Sequence, residues 1–452
     1  ALLLLLTQLT PAICYMVPET MDSSASNRFY TKELANYAPK LQLAFYKQRG
    51  NGLKAARDIE EGETVLEMPW ENIITGEETY YFSSYMKEGD IQIFLHGRLL
   101  FEKFMQDNST SFINSYVHSL PIFLKNYPSW TPDQRKLLTD HLFSHEYQDP
   151  ELIHLERLHE EFKTQISGLP KINHALVRKE AWDWAVSIIR SRAYKCTLSE
   201  AYTARNKTFE EENANARVYM LVPLFDLINH DAKGIGSVDV ELTSKGMKVK
   251  AKRRIPAGEE VLFNYGIRHN IELMKDYGFF IKNNPLNVLT ITAANTTDCY
   301  GIRVGVDCIY KLHSNTFSEP LLRHFRKETL GKEVLPFEEN WYSNYYSLAH
   351  VSNTESRTTL GRAVKIYRQM LEMKHKERPD MRMLKAKLDE YGSSHQIERL
   401  ILEFLLDEHK DFYRHLDHID RVLFKITLTE SWLFSIEELE ELVGQRRVKE
   451  EL

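Results

Sequence analysis

The stretch Leu221-Val222-Pro223-Leu224-Phe225-Asp226-Leu227-Ile228-Asn229-His230 limits what this chain can fold into more than any other. Seven of its ten residues are apolar, one is an acid, and it closes on an adjacent Asn-His pair. An apolar run of this length bounded by polar residues reads as a buried element. Pro223 argues against the middle of a helix, because it lacks an N–H and its ring clashes with the preceding turn. Burying Asp226, Asn229 and His230 is costly unless each is hydrogen-bonded or holds a ligand. The rest of the chain has to supply either partners or a ligand site.

A second constraint is an internal duplication. Arg57-x-Ile59-x-x-Gly62-Glu63-x-Val65-Leu66 recurs as Arg253-x-Ile255-x-x-Gly258-Glu259-x-Val261-Leu262. Both copies have the grammar of strand, glycine turn and strand. They bracket the middle of the chain, which implies one β-rich module split by an insertion. Between about 89 and 192 apolar residues recur at three- and four-residue steps, as in Ile93, Leu95, Leu99, Leu100 and Phe104, so the insertion is expected to be helical. Its last helix ends around Ser191-Arg192, and a polar linker over 206–216 reads as a loop.

Ahead of the first copy, Arg49-Gly50-Asn51-Gly52-Leu53-Lys54-Ala55 contains a GxGxxA pattern. A dinucleotide site is rejected, because no long helix can follow: Gly62 interrupts and Thr64-Val65-Leu66 reads as strand. What remains is a glycine-flanked turn whose bare main chain can approach a ligand closely. Taken alone, the segment reads first as a plain tight turn.

Hydrophobic content of 43% over 452 residues is enough for a sizeable core and two or three domains. A formal charge of −6 gives no global attraction for nucleic acid or an anionic membrane, and suits a Lys-bearing protein partner. Cys14, Cys196, Cys299 and Cys308 are too dispersed for a zinc framework or a disulfide scaffold. That makes a reducing compartment, cytoplasm or nucleus, the expectation. Residues 1–14 are apolar and end in small residues, so they read either as a targeting remnant for an organelle or the secretory route or as an uninformative tail, and too short to span a bilayer. His141 and His145 share a helix face, but no further ligand completes a metal set. They are expected to face solvent, as are His409, His415 and His418.

From about Ser318 the chain is expected to be nearly all helix. Ser393-x-x-Gln396 reads as a capping box opening a long amphipathic helix, and Ser435-x-x-Glu438 as a second.

Four motifs then occur in a fixed order: Arg49-Gly50-Asn51-Gly52-Leu53, Ser191-Arg192-Ala193, Asp226-Leu227-Ile228-Asn229-His230, and Tyr265 followed by Asp276-Tyr277-Gly278-Phe279. Together they resemble the SET-domain protein methyltransferases, in the branch typified by Rubisco large-subunit lysine methyltransferase. The resemblance implies an α+β architecture. Residues 1–40 would be a tail, 41–287 a β-rich SET domain with its helical insertion, and 288–452 an all-α substrate-binding domain.

It also implies S-adenosylmethionine as cofactor, held by Arg49, Gly50, Asn51, Arg192, Asn229, His230 and Tyr265. By the same resemblance Arg192, Cys196, Asp226, Tyr265 and Tyr277 line the substrate side, Tyr265 is catalytic, no metal is used, and the partner is a protein presenting a lysine. Members of the branch that methylate histidine carry an amide two residues after the motif Arg and a Trp just before the motif Asp. Here those positions hold Tyr194 and Phe225, which favours lysine over histidine. A silent SET-fold adaptor is the remaining alternative, and the oligomeric state is left open.

Overall fold

The computed structural model describes residues 25–46, 50–76, 91–104, 111–141, 150–166, 173–208, 211, 214–231, 234–282, 284, 286–293, 302–304, 307–313, 319–330, 354–376 and 380–429. Arg49, His145, Cys299 and the Ser435 capping box lie outside them. In chain order the elements begin with α1 (Ala25–Tyr37), β1 (Leu41–Tyr46), β2 (Gly50–Ala55), β3 (Thr64–Pro69) and β4 (Ile74–Thr75). The insertion follows as α2 (Ile91–Phe104), α3 (Phe112–Ser119), α4 (Pro132–Thr139), α5 (Pro150–Ile166) and α6 (Lys179–Arg192). Then come β5 (Tyr194–Thr197), α7 (Leu198–Ala204), β6 (Arg217–Leu221), β7 (Asn229–His230), β8 (Val238–Thr243), β9 (Gly246–Ala251), β10 (Leu262–Phe263) and α8 (Asn270–Tyr277). The last part holds β11 (Val288–Ala293), β12 (Ile302–Val304), β13 (Asp307–His313), α9 (Glu319–Leu330), α10 (Thr354–Lys376), α11 (Met381–Glu390) and α12 (Gln396–Thr429). The chain divides into two units, 1–130 with 148–279, and 131–147 with 280–452.

In the first unit small sheets are built from strands distant in sequence: β3-β9-β8, β4-β6-β5, the β1-β2 hairpin, and the parallel pair β7-β10. The duplicated segments are what join them. Ile59 and Ile255 exchange both main-chain hydrogen bonds, at 3.0 and 2.8 Å. The Gly62 amide donates to Ala251 O and the Gly258 amide to Ala55 O, each at 2.8 Å, so matching positions of the two copies bond each other reciprocally. Buried Leu53, Ile59, Leu66, Met68, Val249, Ile255 and Val261 fill the space beneath. Within the insertion α2, α3, α5 and α6 pack on the same core. On α6, Trp182, Ala185, Val186, Ile188 and Ile189 are buried, the stripe that apolar residues at helical spacing produce.

The second unit contains the three-stranded antiparallel sheet β11-β13-β12, which the sequence reading does not include. Short alternating strands such as Val288–Ala293 carry too little periodic signal to stand out beside long helices. From Glu319 onward every described element is helical. The α12 stripe of Ile401, Phe404, Leu405, Phe412, Leu416, Ile419 and Leu423 is buried as its spacing requires. Within this unit α4 is tied to α12 by Gln134 Nε2 donating to Glu398 Oε1 at 2.9 Å.

Three expectations are corrected here. His409 and His415 are buried rather than facing solvent, and His415 is paired through Nε2 with the Tyr367 hydroxyl at 2.7 Å. Helix α12 starts at Gln396, so that residue opens the helix instead of closing a capping box begun at Ser393; Ser394 bonds the neighbouring His395 ring. Cys308 is disulfide-bonded, although four dispersed cysteines read as thiols. Among the described residues no helix is long and apolar enough to cross a membrane.

Candidate functional site

The apolar run 221–230 is neither one strand nor a helix. Leu221 ends β6, Leu224 takes φ +70, residues 225–227 make one 3-10 turn, and Asn229–His230 form β7. A buried leucine at positive φ is strained, and such backbone persists where its surroundings fix it. Leu224, Phe225, Leu227 and Ile228 enter the core, which leaves Asp226, Asn229 and His230 to be satisfied by polar partners.

Asn229 reaches the glycine hairpin. Its Nδ2 donates to Asn51 O at 3.3 Å and to Glu260 Oε1 at 3.0 Å. An ideal Cβ on Gly52 would lie 2.4 Å from that nitrogen, so a side chain there would have to displace the Asn229 amide. Glu260 was not anticipated. It stands in the second copy of the duplication where the first has Thr64, and that departure between copies is the one sequence signal that marks it.

His230 and Tyr265 are brought together by the parallel pairing of β7 with β10, which sets Asn229 opposite Leu262 and His230 opposite Phe263. His230 Nδ1 accepts from the Tyr265 amide at 3.2 Å, and the two rings lie 5.1 Å apart. The Tyr265 hydroxyl donates to Ile228 O at 2.7 Å. Tyr277, near the end of α8, faces Tyr265 with ring centroids 4.9 Å apart. Burial, first, and then Tyr277 push the Tyr265 phenol well above its usual range, and burial lifts Tyr277 to about 12. Both are neutral phenols at physiological pH. Tyr277 is held from behind, because its neighbour Asp276 pairs with Arg190 at 2.7 Å in a buried setting.

Arg192 leaves the opposite side of the last turn of α6 from Arg190, as two positions along a helix requires. Its Nη1 bonds Asp226 Oδ2 at 2.9 Å and Asp226 O at 3.3 Å. The Asp226 side chain is 0% exposed, and the Tyr116 hydroxyl donates to the same Oδ2 at 3.1 Å. Burial pushes the Asp226 carboxyl up, against the opposing pull of Arg192. Cys196 is buried on β5 opposite Val218. Tyr194 and Phe225, the two positions that bear on lysine against histidine, touch edge to face at 5.7 Å.

A glycine hairpin, an Asn-His pair and a half-buried tyrosine, carried on or just after strands far apart in sequence, thus meet at one place. Residues 50–266 match the SET domain family. The match spans just under half of the chain, which over that stretch resembles the SET-domain proteins. Among curated relatives, SET domain-containing protein 4 of Artemia parthenogenetica is 21% identical over 299 residues, 64% of this chain and 71% of that protein. Actin-histidine N-methyltransferase of Homo sapiens is 24% identical over 310 residues, 66% of this chain, and the match spans only 48% of that relative's length. The fold likeness runs beyond the SET domain. A structure of the SET domain of LSMT bound to lysine and AdoHcy superposes with a TM-score of 0.61 at 19% identity, covering 93% of this chain and 95% of that one. Rubisco LSMT bound to AdoMet gives 0.58 at 18% identity, covering 90% and 93%. The α+β reading of the sequence, a SET domain with a helical insertion followed by a helical region, is the architecture found.

Proposed function

We propose that the chain is an S-adenosylmethionine-dependent protein methyltransferase whose acceptor is a lysine of a non-histone protein. The observation that supports this most is the meeting of Asn229, His230 and Tyr265 beside the side-chain-free hairpin at Gly50 and Gly52. Bare main chain at a glycine hairpin lets a ligand approach the amides closely, so the residues present fit the cofactor. In this reading Arg49, Gly50, Asn51, Arg192, Asn229, His230 and Tyr265 hold it. Tyr265, Tyr277, Cys196 and the Arg192–Asp226 pair form the substrate side. Asp226 acts there through Arg192, since its own carboxylate is enclosed. S-adenosylmethionine, when bound, supplies an electrophilic methyl group on a positively charged sulfur.

The chain's own contribution is positional. A lysine amine must lose a proton before it can attack, which from a reference pKa near 10.4 costs about 4–5 kcal/mol at pH 7. Enclosure among Tyr265, Tyr277 and Phe263 disfavours the ammonium form and lowers that cost. The Tyr265 hydroxyl, with its proton directed to Ile228 O, keeps its lone pairs for an incoming N–H. Alignment of a neutral amine in this way can supply several kcal/mol without a strong base.

A second reading, methylation of histidine, is favoured by the naming of several curated relatives as actin-histidine N-methyltransferases. Tyr194 and Phe225 weigh against it, because neither offers the amide or indole N–H that would orient an imidazole. The test is incubation of the purified chain with labelled cofactor and a cell lysate, followed by mass spectrometry of the labelled residue. Lysine labelling that Tyr265→Phe reduces at least tenfold supports the proposal. Histidine labelling supports the second reading, and absence of cofactor binding by calorimetry supports a silent adaptor.

A further inference from the structure

An aromatic hydroxyl from a helix that carries none of the four sequence motifs ends on Asp226. Helix α3 begins at a Ser111 cap whose hydroxyl accepts from the Asn114 amide at 3.1 Å, and Asn114 Nδ2 fixes it to Glu102 O at 2.9 Å. One turn on, Tyr116 is fully buried and points its hydroxyl at Asp226 Oδ2. Its ring is packed by Phe29 of α1 at 6.1 Å. Beside it Tyr30 of α1 is also buried, and its hydroxyl pairs with Ser119. Asp226 Oδ2 therefore takes two donors, one from α6 and one from α3, while Oδ1 is enclosed without a hydrogen-bond partner among the described residues.

The backbone of the same turn is what the site depends on. Arg192 holds Asp226 O, Ile228 O accepts the Tyr265 hydroxyl, and the next two residues are Asn229 and His230. Leu224, just upstream, is strained, so the turn needs an external hold.

We infer that Tyr116 is a positioning residue: through Asp226 it locks the 222–230 turn, giving the helical insertion a direct hold on the Tyr265 hydroxyl and the Asn229-His230 pair. The catalytic part of this inference rests on the methyl-transfer reading, whereas the locking of the turn does not. Tyr116→Phe keeps the ring and removes only the hydroxyl, so the core stays filled. Tyr30→Phe removes a hydroxyl of equal burial from the same cluster and serves as the control.

The experiment is hydrogen exchange of the peptide covering 222–230, together with kcat, KM and cofactor affinity, in the full chain and both variants. Tyr116→Phe is expected to speed exchange in that peptide at least tenfold and to lower kcat about tenfold, with cofactor affinity within twofold of the parent. Tyr30→Phe is expected to leave exchange and kcat within twofold. Unchanged exchange in Tyr116→Phe overturns the inference, and so does equal acceleration in both variants, which would mean general loosening. A parent chain that transfers no methyl group, with fast exchange confined to Tyr116→Phe, would sink the methyl-transfer reading and leave the lock standing.

Discussion

The side-chain amide of Asn229 occupies the space that any side chain at position 52 would need, 2.4 Å from where a Cβ on Gly52 would stand. The glycine is thus part of the Asn229 contact rather than a feature of the hairpin alone. Gly52→Ala must push Asn229 away from Asn51 O and Glu260, or open the β1–β2 hairpin. The expected result is loss of cofactor affinity by at least tenfold, and a fall in stability of about 1–3 kcal/mol from overpacking. Calorimetry with S-adenosylmethionine and denaturant unfolding measure the two. Cofactor affinity equal to the parent's would show that Asn229 does not need its present place.

Removing the cation from the buried pair exposes a pH dependence. In Arg192→Gln the Asp226 carboxylate keeps Tyr116 as a donor but has lost its countercharge, a loss worth roughly 3–5 kcal/mol for buried pairs. Burial already raises the Asp226 carboxyl, and without Arg192 it rises further. A raised folded-state value means stability that is present below the unfolded value and lost as pH rises through the folded one. The deficit of the variant relative to the parent is therefore expected to be larger at pH 8 than at pH 5, shrinking on acidification as Asp226 takes up a proton. Unfolding midpoints at the two pH values decide it. A deficit that widens on acidification would contradict the assignment.

Asp226, Asn229 and His230 drew attention as polar residues inside an apolar run, whereas Arg192 and Tyr265 were singled out only by the family resemblance of the ordered motifs. The pairing of the two copies was legible in outline, since the repeat could be seen though not the reciprocal bonds between Ala55, Gly62, Ala251 and Gly258. Tyr116 was not. An aromatic on the apolar stripe of a helix reads as core, and only the fold reveals that its hydroxyl ends on a carboxylate far away in sequence. The burial of His409 and His415 was missed for a related reason: a polar residue on a long helix looks exposed until its partner, here Tyr367 for His415, is known.

A second buried pair supports the aromatic side. Arg190 and Asp276 are about one-tenth exposed, 2.7 Å apart, and Asp276 precedes Tyr277. Replacing Asp276 by Ala takes the carboxylate from a buried guanidinium, with an expected loss of about 3–5 kcal/mol. Replacing both, Arg190→Met with Asp276→Leu, is expected to cost less than the single change, because no charge is then left buried. A double-mutant cycle in urea measures the coupling. Additive losses would mean that the pair is not coupled and that Tyr277 is held by packing alone.

The dependence of rate on pH separates the two acceptors. Burial lifts Tyr277 to about 12 and Tyr265 higher still, so neither phenol ionises across the working range and neither brings a decline on the alkaline side. The acceptor's own proton is then the group that limits the rate. A lysine, with a reference value near 10.4, should make kcat/KM climb steadily from pH 7 to 9. A histidine, near 6.5, should give a plateau above about pH 7.5. Initial rates on a captured protein substrate, with cofactor saturating at each pH, distinguish these shapes. A plateau would turn the assignment from lysine to histidine, and a fall between pH 8 and 9 would mean that a buried phenol titrates far below where its surroundings place it.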